Sequence, residues 1–312
     1  MTVHSPACAA SMEPAGIAGR YARRIEEEGT PVTDPSLADT IRQRLGEFPP
    51  SERKVARVLL ATYPTAGLET SARLAERAAT SAPTVIRFVN RLGFNGFPEF
   101  QQALRTELEQ RDASPLTLYS EPCSEGAALL QQSAEVFGHA VHRTLTALPP
   151  DDLRAAVELL GESRRVHVTG GRFTGLFAHY LLMHLVQLRD NAFLLPEATV
   201  ERAASLAGLG KRDVLVVFDY RRYEPQHLAL ARMARQKNCK IILFTDTWLS
   251  PVASLANVVL PSQLDAPSPY DSLVPTVAVV ETVVAALLTA LGESAHQRML
   301  ACEAAANQSD LY

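Results

Sequence analysis

LETSARLAERAATSAPTVIRFVNRLGFNGFPEF, residues Leu68 to Phe100, is the most specific pattern in this 312-residue chain. Ser71 to Ala78 reads as a short helix with Ala72, Leu74, Ala75 and Ala78 as its apolar positions. Ala79-Thr80-Ser81 breaks it. Ser81 suits a helix N-cap, since its hydroxyl can accept from a free backbone N–H in the first turn. Pro83 falls within that turn, where a missing N–H costs nothing. The second helix runs to Leu92 and stops at Gly93. Two helices joined by three residues form a helix-turn-helix.

The second helix has two faces. Val85, Ile86, Val89 and Leu92 make an apolar stripe at i, i+1, i+4 and i+7, which suits a core. Pro83, Thr84, Arg87, Asn90 and Arg91 lie opposite. Those groups suit a DNA major groove: Arg pairs with guanine or phosphate, Asn with adenine, and the Thr methyl meets the thymine methyl. With Ser81 they form the expected DNA-contacting set, Arg87 at a base edge and Arg91 at a phosphate.

Residues 35–112 resemble the N-terminal domain of the RpiR family of bacterial transcription regulators. The resemblance rests on Leu74-Ala75, Ser81, Thr84, Arg87-Phe88, Leu92-Gly93, Gly96-Phe97 and Phe100. Upstream, Leu45 and a helix from Glu52 to Tyr63, preceded by Pro49-Pro50-Ser51, fit the family's opening helices. The resemblance implies a double-stranded DNA operator. A dimer would read it as an inverted repeat.

The length allows a second domain. Hydrophobic content of 47% and charge of 21% describe a globular chain, and a net charge of −4 argues against indiscriminate nucleic-acid binding. Residues 36–112 carry eleven Lys/Arg against nine Asp/Glu, so the acidic excess belongs to the remainder. Cys8, Cys123, Cys239 and Cys302 are far apart and fit free thiols in a reducing cytoplasm, the expected location. His139 and His142 stand three apart without a third ligand, so neither metal nor cofactor is expected. Residues 1–34 read as a flexible tail. The apolar run Leu273 to Leu291 carries Pro275 and Glu281, which favours a core or subunit-interface helix over a membrane span.

Residues 113–125 read as a linker, residues 126–292 as an α/β domain and residues 293–312 as a C-terminal helix and tail. Helices are expected at Ala127 to Leu148 and Asp151 to Leu160. Then strands at Arg165 to Thr169, Ala192 to Leu195, Val214 to Phe218, Lys240 to Thr245 and Val258 to Leu260 alternate with helices. That order implies a parallel sheet with helices on both faces, behind an all-α head.

The body resembles a SIS domain, the sugar isomerase fold that follows the head in RpiR regulators. Its anchors are Gly170-Gly171 after the first strand, Lys211-Arg212-Asp213-Val214, and Thr245-Asp246 with Ser250-Pro251 and Leu255-Ala256. The resemblance implies a phosphosugar effector at the strand ends. Yet the usual Gly-x-Gly-x-Ser loop is here Gly170-Gly171-Arg172-Phe173-Thr174, and the usual Ser-x-Ser-Gly-x-Thr stretch is Asp219-Tyr220-Arg221-Arg222-Tyr223-Glu224. A backbone cradle needs small residues for an anion to approach, so the second loop cannot work that way. Two arrangements fit. Either Arg172 and Arg221 or Arg222 grip an anionic metabolite, with Tyr220 or Tyr223 packed on it, or the arginines pair with Asp219 and Glu224 and the domain only dimerises. The expected ligand set is Gly170, Gly171, Arg172, Thr174, Asp219, Arg221, Arg222, Tyr223 and Thr245.

An isomerase needs a positioned base. His167, His179 and His184 read as packing positions, Glu281 as a residue that burial could pair, and none couples to a second group at a recognisable spacing. No catalytic residue is expected.

Overall fold

The computed structural model describes residues 37–61, 63–119 and 125–309; the tail expected at residues 1–34 lies outside them. The chain folds as two compact units that divide between Gln110 and Arg111.

The first unit is helical: α1 (Leu37–Gln43), α2 (Pro50–Ala61), α3 (Thr65–Leu68), α4 (Ser71–Arg77), α5 (Ala82–Arg91) and α6 (Phe97–Asp112), the last running on past the division. Phe48, Val55, Leu59, Leu74, Val85, Phe88, Val89, Phe100 and Leu104 are fully buried in one core. The Phe48 and Phe88 rings meet edge-on at 5.1 Å, a geometry worth about 1 kcal/mol beyond the buried area. The expected stripe omitted Phe88 and gave Ile86 a place that is only half-buried. Ala72, expected inside, is exposed because α4 turns only Leu74, Ala75 and Ala78 inward.

Both helix ends of the motif close by the same device. After α4, Ala79 adopts a left-handed φ of 48°, Ala79 N–H donates to the Glu76 carbonyl (3.0 Å) and Thr80 N–H to the Ala75 carbonyl (3.0 Å). After α5, Gly93 has φ 102°, Gly93 N–H donates to Asn90 (3.0 Å) and Phe94 N–H to Val89 (3.3 Å). These paired bonds satisfy carbonyls that a helix end leaves open. They fix the length of the turn and the exit of the second helix.

The second unit holds α7 (Pro115–Leu118), α8 (Gly126–Ala147) and α9 (Pro150–Glu162). Then come β1 (Arg165–Gly170), α10 (Gly175–Leu188), β2 (Ala192–Leu194), α11 (Thr199–Ala207), β3 (Asp213–Phe218), α12 (Pro225–Gln236), β4 (Lys240–Asp246), β5 (Val258–Ser262), α13 (Val274–Leu291) and α14 (Glu293–Gln308). The stretch read as linker contains the helical turn α7, capped by the Ser114 hydroxyl accepting from Thr117 N–H at 3.1 Å. The five strands are all parallel, in the order β2-β1-β3-β4-β5.

Alternate residues of the strands feed two cores. Val166, Val168, Val214, Val216, Phe218, Ile242 and Phe244 pack with Leu160, Leu181, Leu185, Val279 and Val283. Leu215, Val217, Ile241 and Leu243 pack with Leu206, Leu230, Ala231 and Ala234. Burial on both faces is why β3 is apolar along nearly its whole length. The apolar run read from Leu273 is α13. It buries Val279, Val280, Val283 and Leu287 and leaves Val274, Glu281 and Leu288 exposed. Glu281 is therefore not buried; it accepts from the Tyr180 hydroxyl at 2.9 Å.

Candidate functional site

On α5 five of the six residues expected to face DNA are exposed and one is not. Ser81, Pro83, Arg87, Asn90 and Arg91 are exposed, but Thr84 is buried. Thr84 sits at the third position of the helix, where its side chain turns back on the N-terminus. Its hydroxyl lies 3.0 Å from that of Ser81 and accepts from the Arg87 guanidinium at 2.9 Å. Ser81 precedes the helix as expected, but its hydroxyl engages Thr84 and not a backbone N–H. Thr84 thus orients Arg87 and does not itself reach a groove. The Arg87 charge has no carboxylate partner among the described residues and faces water. Arg91 differs: its Nε donates at 2.8 Å to Glu52, whose side chain is buried at 4% exposure. With its amide oxygen and nitrogen exchanged, Asn90 donates to the carbonyls of Ile86 (3.3 Å) and Phe94 (3.2 Å) and closes the helix end.

In the second unit the strand order reverses at β1 and β3, and ligands of such sheets sit outside the strand ends at that point. The loops after β1 and β3 border it. Gly170 packs so closely on the turn into α10 that a Cβ would lie 2.6 Å from the Thr174 carbonyl oxygen. The Thr174 hydroxyl accepts from Gly171 N–H (2.8 Å) and donates to the Phe218 carbonyl (2.9 Å), so it ties the two loops together and is spent internally.

Arg221 and Arg172 go to separate carboxylates. Arg221 is 6% exposed, its Nε donates to Asp271 at 2.6 Å, and its guanidinium lies 5.8 Å from the Trp248 ring centroid. Arg172 is exposed, with its Nε 3.8 Å from Glu224 and its backbone N–H donating to the same Glu224 oxygen at 3.0 Å. Arg222 is half-buried with a left-handed φ of 61°. With Arg221 on Asp271, the expected joint grip by Arg172 and Arg221 is not formed, and of the alternative, arginines paired with Asp219 and Glu224, the Arg172–Glu224 contact is present. Asp219 is buried and serves the loop: it accepts from Glu224 N–H (3.1 Å), from the Ser250 hydroxyl, and pairs with His227 Nδ1 (2.9 Å). Tyr220 turns into the core, its hydroxyl joined to those of Ser262 (3.1 Å) and Thr276 (2.9 Å), so it cannot pack on a ligand. Thr245 is buried and accepts from Ser250 N–H at 3.0 Å.

Tyr223 leads to Asp246, which the sequence names in an anchor of the second unit but not in the expected ligand set. Its hydroxyl donates to Asp246 at 2.7 Å, and Trp248 N–H donates to the same oxygen at 2.9 Å. The other Asp246 oxygen is buried without a hydrogen-bond partner. Burial pushes the carboxyl up to about 6. The folded value lies above the unfolded one, near 3.9, so the stability Asp246 contributes is lost as pH rises through about 6. Asp246→Asn, which mimics the protonated acid, should remove that loss; urea melts at about pH 5 and 7.5 would detect it. An unchanged pH slope in the variant would contradict this.

His167 is buried against Phe193 with neither ring nitrogen bonded, as a packing residue is, and burial lowers its basicity. His184 packs edge-on to Tyr180, whereas His179 is exposed and not a packing position. Among the described residues no cluster could hold a metal.

Residues 36–111 match the sequence model of the helix-turn-helix domain of the rpiR family, and residues 159–286 match that of the SIS domain. The HTH-type transcriptional regulator HexR of Pseudomonas aeruginosa is 28% identical over 244 residues, 76% of this chain and 81% of its own. The sugar isomerase domain of the RpiR transcription factor from Sphaerobacter thermophilus shares the fold at a TM-score of 0.53 and 24% identity, over 56% of this chain and 98% of its own. The Vibrio vulnificus NanR protein, solved in complex with ManNAc-6P, shares it at a TM-score of 0.51 and 19% identity, over 87% of this chain and 98% of its own.

Proposed function

The chain is a transcriptional regulator of the rpiR family with a helix-turn-helix domain and a SIS domain, and from that premise we propose a homodimer. It reads an inverted-repeat operator through Arg87 and responds to a small anionic metabolite in the β1/β3 crevice. The observation that carries the DNA reading is Arg87: an exposed guanidinium steadied by a neutral hydroxyl, with its charge unspent. A bidentate Arg contact to guanine contributes about 1–3 kcal/mol of discrimination. Arg87→Ala should therefore weaken operator binding by that amount at fixed salt, read by fluorescence anisotropy on the protein's own upstream DNA. Equal affinity for both proteins would remove Arg87 from the reading face.

Self-association is supported by α10, whose outer face leaves Leu176, Met183 and Val186 exposed. Apolar side chains grouped on one face favour a subunit interface, and paired heads match operator symmetry. NanR's complex with ManNAc-6P supports a phosphosugar as the effector class. A non-catalytic role fits His167 inside the core and Glu281 at the surface on Tyr180.

A further inference from the structure

The loop after β1 carries the geometry of an anion cradle, with an internal anion in it. Gly171 presents bare backbone, and a Cβ there would overlap the Glu224 carboxylate. That carboxylate accepts the Arg172 backbone N–H at 3.0 Å, lies 3.8 Å from the Arg172 Nε, and is held on its other oxygen by the Gln226 amide. Only 20% of the Glu224 side chain is exposed. A bare glycine beside a backbone N–H suits a phosphate or carboxylate, and the N–H that serves here is that of Arg172, since Gly171 N–H is held by the Thr174 hydroxyl and Gly175 N–H by the Gly171 carbonyl.

A second observation points to the same spot. His227 is fully buried, and its Cε1 would lie 3.5 Å from a Cβ on Gly171. Its Nδ1 faces the Asp219 carboxylate at 2.9 Å, so Nδ1 carries a hydrogen, while Nε2 has no partner. A neutral imidazole in that tautomer leaves Nε2 as an acceptor. A buried acceptor without a donor is costly, and Glu224, a carboxylate, brings no hydrogen to it.

We infer that Glu224 is a built-in competitor for an oxyanion subsite formed by Gly171 and Arg172, and that the effector is a hydroxyl-bearing oxyanion, such as a phosphate ester or hydroxy acid, which must displace it. This rests on the reading of the crevice as the effector site. The ligand anion takes the Arg172 N–H, and its hydroxyl donates to His227 Nε2. Glu224 immediately precedes α12, and its own N–H is bound to Asp219. Its displacement therefore acts on the start of that helix, which gives the ligand a two-state element to bias.

An internal competitor lowers apparent affinity by the fraction of time the site stands open. Isothermal titration of the full chain with glucose 6-phosphate, inorganic phosphate and sulfate at equal ionic strength tests this. Glu224→Gln should bind glucose 6-phosphate at least about tenfold more tightly than wild type, a shift expected if the site is open about a tenth of the time. Glu224→Asp, which keeps the charge but shortens the reach, should also bind more tightly; this separates displacement from a simple change of charge. Sulfate, with no hydrogen to offer His227, should bind more weakly than phosphate in every protein. If wild type binds glucose 6-phosphate and both variants bind it no better, the competitor role is overturned and the effector site stands. If sulfate binds as well as phosphate, the hydroxyl requirement fails. If no protein binds any of the three, the competitor and the effector site fall together.

Discussion

Arg91→Ala is expected to lower the stability of the N-terminal unit by about 2 kcal/mol. Arg91 lies one helical turn after Arg87, and from spacing alone both belong to a DNA-facing surface. The structure separates them. Arg91 gives its Nε to Glu52, a carboxylate on α2 that water barely reaches. Removing the arginine leaves a buried charge without its partner, which costs more than the pair itself contributes. The arginine side is 46% exposed, so entering water offsets part of the cost. Urea melts of the isolated substitution and of Arg91→Ala combined with Glu52→Gln would measure it. The double variant should recover most of the loss, because the orphaned charge is gone. A single-variant loss below about 0.5 kcal/mol, the size typical of an exposed pair, would mean that Glu52 is not held by Arg91. Operator binding compared at matched folded fraction would then isolate any contact of Arg91 with phosphate, which flattens the salt dependence when lost.

The same helix explains what was legible in advance. Its ends are written locally, in Ser81, Pro83 and Gly93, so its span follows from short-range rules. Thr84 was misread because a threonine at the third helical position can turn either to solvent or back to the preceding turn. The choice depends on its hydrogen bonds with Ser81 and Arg87. In the second unit the strands were readable because burial on both faces forces continuous apolar runs. The crevice was not. Arg221 ends on Asp271, fifty residues away, and Arg172 meets Glu224 from fifty-two residues away. Nothing in local composition tells an arginine which distant carboxylate it will find. His227 lacked any motif, and Asp246 stood only in the Thr245-Asp246 anchor, with nothing to mark it as a buried, half-partnered carboxyl. The one available signal was that each stands where a strand's C-terminal end or the first turn of the following helix opens on the reversal of strand order.

Asp213→Asn should cost the second unit about 3 kcal/mol at neutral pH. Asp213 opens β3, is fully buried, and receives both Arg164 (3.1 Å) and Arg165 (2.8 Å). It also accepts the Gly210 N–H at 2.9 Å, closing the turn that delivers the chain to the sheet. Burial pushes its carboxyl up, but the hydrogen bonds from Arg165 and Arg164 outweigh that and hold it well below the usual carboxylate range. A depressed folded value means that its stabilisation is present above the unfolded value, near 3.9, and is lost as pH falls below it toward the folded one. Wild type should therefore lose stability on acidification below about pH 4, and the variant should lose less over the same window. An asparagine keeps the shape and can still accept one hydrogen bond. What it removes is the charge that faces two guanidinium groups, both of which retain some water. That is why the figure sits at the low end for a broken buried pair. Urea melts at about pH 7 and pH 3 on both proteins decide the matter: parallel acid losses would show that Asp213 is not the titrating group, and a neutral-pH loss under about 1 kcal/mol would show that the arginines contribute little there.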